Sequence, residues 1–257
     1  MDLSLPLNKR RYPPPYLLLS KMAQPKLSQE EPEQPLEEPI TPPEEPSKRL
    51  KKLLRASLVT CPHVKDKDKR FIPCQQLEIT CNIKTVAKEL KLFFPKRNFN
   101  SCEKLASLIC HGSTRNSSTF FSKPCFKIFA ILVLIDKAKL IDYFQKNSLC
   151  DDDLPFHYTS DFEKMWPNKK EEKDYIQFPD GVDDEFIEAF ASKQWSVLAP
   201  SFESPKSTSL RCKFYELDDK MILPIIHVSE NKHTGGFGVV ERIQLHEEHH
   251  EFVSSTV

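Results

Sequence analysis

The sequence predicts an α+β protein, mainly α, built as a disordered proline-rich tail, a helical domain and a closing β-hairpin. Three observations predict it. The chain has 21 prolines, concentrated near the amino terminus, where they alternate with acids in Glu30 to Pro46 (EEPEQPLEEPITPPEEP). Apolar residues recur at helical spacing through the middle of the chain, bounded by capping residues and prolines. Near the carboxyl end, three of the 5 glycines fall at Gly235, Gly236 and Gly238, between two β-branched runs.

Residues 1–57 form the tail together with a short basic helix. Proline removes amide donors and fixes φ, and like charges repel, so the tail cannot bury enough surface to fold. Its local state is extended polyproline II, and Pro13 to Pro15 or Thr41-Pro42-Pro43 would suit a proline-binding protein partner. Ser47 is then a candidate cap for Ser47 to Leu58 (SKRLKKLLRASL), with leucines at 50, 53 and 54 between lysines and arginines. Such a helix can touch a membrane, a nucleic acid or the acidic run just before it, and Lys48 to Lys52 would suit nuclear import; a solvated helix lending leucines to a neighbour is the simpler reading.

The helical domain spans 58–200. Thr85 is the candidate cap for Val86 to Phe94, which Pro95 stops, and Ser101 for Cys102 to Ile109. A serine-rich loop follows over His111 to Ser122. The longest helix runs from Cys125 to Gln145 and is apolar nearly all round in its first half, which makes it the core of the domain. Asp151-Asp152-Asp153 reads as a solvated helix start, and Lys164 to Lys173 as a surface connection. Asp183 or Asp184 caps Glu185 to Gln194, whose apolar face holds Phe186, Ala189, Phe190 and Trp195.

Composition excludes several classes. Lys+Arg and Asp+Glu are both 37, so no net field points to nucleic acid or an anionic membrane. The apolar run Ile128 to Ile135 is far short of the roughly 20 residues that cross a bilayer. Pro13 to Pro15 interrupt any signal-peptide core, and the expected location is intracellular, cytoplasmic or nuclear. The 8 cysteines contain no C-x-x-C pair and read as buried free thiols. Cys110 beside His111 is no nucleophile pair, because neighbours in a helix do not face each other.

Residues 201–257 carry the most informative stretch, Ile222 to Phe252. Glycine lets the backbone approach a bulky anion closely, so a glycine hairpin is one way to lay amides over phosphates. Gly235-Gly236-Phe237-Gly238-Val239-Val240 resembles the glycine-rich loop of eukaryotic protein kinases. Four flanking stretches, Phe129 to Phe144, Gln194 to Phe202, Met221 to Ile226 and Arg242 to Phe252, resemble kinase-domain proteins of filamentous fungi, in which a helical accessory region precedes the kinase fold. The resemblance covers roughly Leu77 to Phe252 and makes 201–257 the start of a kinase amino-terminal lobe.

That resemblance implies ATP binding, with Gly235, Gly236 and Gly238 over the phosphates, Phe237 capping the tip and Val240 against the adenine. Two positions depart from the pattern. His233 stands where such loops carry a further glycine, and Lys232 where they are apolar, so the expected affinity is weak or vestigial. The strand lysine, its helix glutamate, the catalytic aspartate and the magnesium aspartate come later in a kinase than Val257. The chain as given is therefore expected to have no catalytic residue and no metal ligand, magnesium belonging to a full-length kinase. A partial gene model or a truncated product is the simplest origin, and two lone strands should leave unpaired edges and an open apolar face. The alternative is a non-catalytic helical module that binds protein partners.

His246-Glu247-Glu248-His249-His250 also satisfies H-E-x-x-H, which on a helix would set two histidines on one face for zinc. Strand-forming sequence leads into it and no third ligand is placed, so it reads instead as the polar turn after the second strand.

Overall fold

The computed structural model describes residues 46–62, 69–113, 123–179, 182–204, 214–235 and 238–252. The expectations for the proline-rich tail, for most of the serine-rich loop and for Gly236 and Phe237 lie outside these residues, as do those for the side chains of Ser47, Lys48 and residues 231–235.

At the centre lies α5 (Phe126–Leu134), in which every residue from Ile128 to Leu134 is buried. A helix apolar on all sides has to be wrapped by other elements. Here α1 (Pro46–Ala56), α4 (Phe99–His111) and α7 (Asp184–Lys193) pack on α5, and α3 (Ile83–Phe93) packs between α1 and α4. The buried faces supply Leu50 and Leu54 from α1, Val86 and Leu90 from α3, and Leu105 and Ile109 from α4. Each such side chain contributes roughly 1.5–3 kcal/mol by leaving water. The lower part of this core is aromatic. Phe144 stacks on Phe190 at 5.8 Å, and Phe156 meets both edge-on at 6.0 and 5.6 Å. Gln194, fully buried, clamps this layer: its amide accepts from the Phe156 N–H at 2.8 Å and donates to the Phe156 carbonyl at 3.0 Å.

The longest helix expected from sequence is interrupted. α5 ends at Leu134, Asp136 takes a left-handed φ of 60°, and the chain resumes through a 3-10 turn into α6 (Ile141–Lys146). Apolar spacing continues across the break because both segments face one core, and spacing alone does not register the kink. Three helix starts also differ, and the first is α1, which begins at Pro46 and so places Ser47 inside the helix and not at its cap. Asn82, not Thr85, caps α3, accepting from the N–H groups of Lys84 and Thr85. Asn98, not Ser101, caps α4, accepting from the Ser101 N–H at 2.7 Å. In these last two cases each candidate residue type can cap, and the asparagine three positions earlier takes the role. Asp183 caps α7 as expected.

Two further differences come from tertiary packing. Asp151 is not solvated: its carboxylate accepts from the N–H groups of Lys127 and Ile128, both at 3.0 Å, and so caps α5 from a distant turn. Burial nevertheless raises its pKa to about 7, against those two hydrogen bonds and the Lys127 charge. Within the expected surface connection, β4 (Met165–Trp166) pairs antiparallel with β3 (His157–Tyr158), and Met165 is fully buried.

Gly112 ends α4 with φ 74° and ψ −172°, a backbone region open almost only to glycine. A Cβ there would lie 2.8 Å from the carbonyl carbon of Lys123, where the chain returns toward α5. Gly112→Ala is expected to lower stability by about 2 kcal/mol. A urea melt giving a change under about 0.5 kcal/mol would show that this crossing is not tight.

A second, smaller core joins the helical body to the hairpin. It contains Cys61, Phe71, Trp195, Ile222 and Ile225, with Phe71 coming from the short ladder of β1 (Val59–Thr60) and β2 (Arg70–Phe71). From it rises β5 (Ile225–Gly235), paired antiparallel with β6 (Gly238–Leu245). Among the described residues this sheet has two strands only. As expected of a lone pair, it leaves Val239, Val240 and Ile243 exposed.

Candidate functional site

The hairpin is held at its base. Its register runs from Ile225 opposite Leu245 to Gly235 opposite Gly238, so two residues, Gly236 and Phe237, join the strands. β5 carries irregularities between Ile225 and His227 and between Val228 and Lys232. Extra residues on one strand of a pair increase local twist and re-aim what lies beyond them. The tip strands, including His233 opposite Val240, are regular again.

Beside the tip, Gly238 and Val240 face open space. A Cβ built on Gly238 would meet nothing within 4 Å among the described residues, so their packing does not require glycine there. Val240 is 68 % exposed. Of the five residues singled out from sequence, the structure brings Gly235, Gly238 and Val240 to one end of one hairpin. Gly236 and Phe237 lie outside the described residues.

At the other end the chain after β6 turns back onto the helical body. The segment expected as a polar turn is a 3-10 turn over Glu247–His249, and part of it is buried. The Glu248 carboxylate accepts from the N–H groups of Gln75 and Gln76, at 2.8 and 3.1 Å, in the first turn of α2 (Cys74–Thr80). The Cys74 thiol donates to the Glu248 carbonyl at 3.0 Å. His249 is buried, and Phe71 meets the rings of both His249 and His246 edge-on. The Pro200 carbonyl, 3.0 Å from His249 Nδ1, fixes the proton on that nitrogen, leaving Nε2 buried without a partner. Burial lowers the His249 pKa, because the charged ring would lose its hydration.

This arrangement does not suit zinc. His246 and His250 are not on one turn of an α-helix, and the Nδ1 of each accepts a backbone N–H, from Glu248 and Phe252 respectively. Among the described residues no group of three or more His, Cys, Asp or Glu side chains could hold a metal ion. A cleft of about 1000 Å³ runs along the base of the hairpin past Arg242, His246 and His250, at the end far from the glycines.

Cys81, Cys110 and Cys125 are unsuited to nucleophilic chemistry. All seven described cysteines are free, and Cys110 donates to the Cys81 carbonyl at 3.1 Å. Burial pushes the Cys110 thiol up to about 11, with the Asp151 charge adding to the rise, and raises Cys81 and Cys125 as well.

Sequence reading passed over Glu89 and Glu248. Glu89 carries a signal that could have found it, since it falls on the buried stripe of α3 with Val86 and Leu90. Glu248 carries none, because its partners on α2 lie over 170 residues away. No described helix is long and apolar enough to cross a membrane. No family model, curated protein or solved structure matches this chain.

Proposed function

We propose that this chain is the amino-terminal portion of a protein-kinase-like protein, whose glycine hairpin lays backbone amides over the phosphates of ATP. The observation that carries the reading is the register of β5 and β6, which closes at Gly235 opposite Gly238 and leaves a two-residue tip. Open space at the Gly238 Cβ position supports it, because a phosphate needs the room that a side chain would fill. The exposed Val240 supplies an apolar surface for the adenine, and β6 presents an edge on which a further strand can pair.

In this reading the hairpin positions a nucleotide and does nothing more. Amides of the tip hold the phosphates, Phe237 shields them, and no residue of this chain acts as base or metal ligand. His233, in place of a glycine, stiffens the approach to the tip and weakens binding.

Titration of the purified chain with magnesium and ATP, followed by amide NMR, is expected to move the resonances of residues 234–240. The dissociation constant should be on the order of 1 mM. Gly238→Val is expected to abolish those shifts while leaving the thermal midpoint unchanged, since the added side chain meets open space. Shifts elsewhere, or ATP shifts that survive Gly238→Val, would defeat the reading.

A further inference from the structure

A separate cleft of about 340 Å³ lies on the helical body between α1, α3 and the first residue of α4. Its walls are Leu50, Leu53, Leu92 and Phe99, of which Leu53, Leu92 and Phe99 are 47, 41 and 45 % exposed. Three large apolar side chains left in water around one concavity mark a binding surface more than scattered apolar residues do.

Two further features define what would fill it. Glu89, 2 % exposed, also lines the cleft, and its Oε1 is buried with no hydrogen-bond partner. A buried acceptor without a donor leaves a hydrogen bond for an incoming group to complete. The rim is cationic: Lys88 is exposed, and Lys91 is held beside it by the carbonyls of Pro95 and Arg97.

We propose that this cleft docks an acidic protein segment, which inserts one tryptophan or tyrosine between Leu53, Leu92 and Phe99. The ring supplies the apolar body, its N–H or O–H completes Glu89 Oε1, and flanking carboxylates meet Lys88 and Lys91. Aromatic side chains with a polar tip are the usual anchors of such interfaces, because one group fills the pocket and satisfies its polar atom. Charge complementarity at the rim selects acidic over basic partners. The inference rests on the helical body alone and is independent of the glycine hairpin.

The test uses the full chain and four probes: a glutamate-flanked peptide with a central tryptophan, the same peptide with 1-methyltryptophan, a lysine-flanked version, and free indole. The first is expected to bind with a dissociation constant of about 0.1 mM and to shift resonances of Leu53, Leu92 and Phe99. N-methylation, which removes the donor, is expected to weaken binding about tenfold, and lysine flanks to weaken it at least as much. Lys88→Glu and Leu92→Glu, both at exposed positions, should each reduce affinity for the first peptide with the fold retained. Equal affinity for the methylated or lysine-flanked peptide, shifts outside the cleft, or no binding at 1 mM would overturn the proposal. Free indole binding as tightly as the peptide would do the same, since the cleft would then be a small-molecule pocket.

Discussion

Phe144→Ala is expected to lower the unfolding free energy by about 4 kcal/mol, which only a residue at the centre of the packing can do. Phe144 is fully buried and sits among Phe156, Phe178 and Phe190, with centroids at 6.0, 6.2 and 5.8 Å. Removing its ring costs the transfer free energy of the ring together with a cavity that these rigid aromatic neighbours close poorly. Gln194 worsens the collapse, because its two hydrogen bonds fix the backbone of Phe156 against movement into the space. Phe99→Ala, at a residue 45 % exposed, serves as the reference and is expected to change stability by less than about 0.5 kcal/mol. Urea melts of the two variants check the contrast, and a Phe144→Ala effect under about 1 kcal/mol would contradict the aromatic layer.

Stability is expected to fall by about 3 kcal/mol as pH rises from 4.5 to 8 through the ionisation of Glu89 alone. Burial between α1 and α3 raises this carboxyl from its ordinary 4.5 to about 7, and the nearby Leu50 amide offsets only part of that. The folded chain therefore holds the proton more tightly than the unfolded chain. That contribution is full below about pH 4.5 and is lost progressively as pH rises through 7. Glu89→Gln, which cannot ionise, is expected to remove this part of the slope and to be more stable relative to the natural chain at pH 8 than at pH 5. Asp151, raised to about 7 by burial, slopes the same way in both proteins, so their difference isolates Glu89. Parallel stability curves for the two proteins between pH 5 and 8 would show that Glu89 does not gain its charge in a buried place.

Much of the helical body was legible in the sequence, for a simple reason. Stripes such as Cys102, Leu105, Ala106 and Ile109 are local, and a local period of 3.6 survives whatever the helix packs on. What escaped was decided by partners distant in sequence. Asp151 to Asp153 looks like three solvated acids until α5 is placed above them and Asp151 is drawn under its first turn. The break at Asp136 is invisible for the opposite reason, since both sides of it face the same interior and keep the apolar pattern running. The glycine hairpin was legible as strand, turn and strand because glycine and β-branched residues state their preferences locally. Its irregular lower half, between Val228 and Lys232, has no such local mark.

The turn at Glu247–His249 has a mechanical consequence for everything above it. One leg of the hairpin is rooted through Ile225 in the smaller core, and the other through Glu248 on α2 and His249 beneath Phe71. The pair of strands is thus anchored on both legs at its base. A force on either strand is therefore carried into two places at once, the smaller core and the first turn of α2.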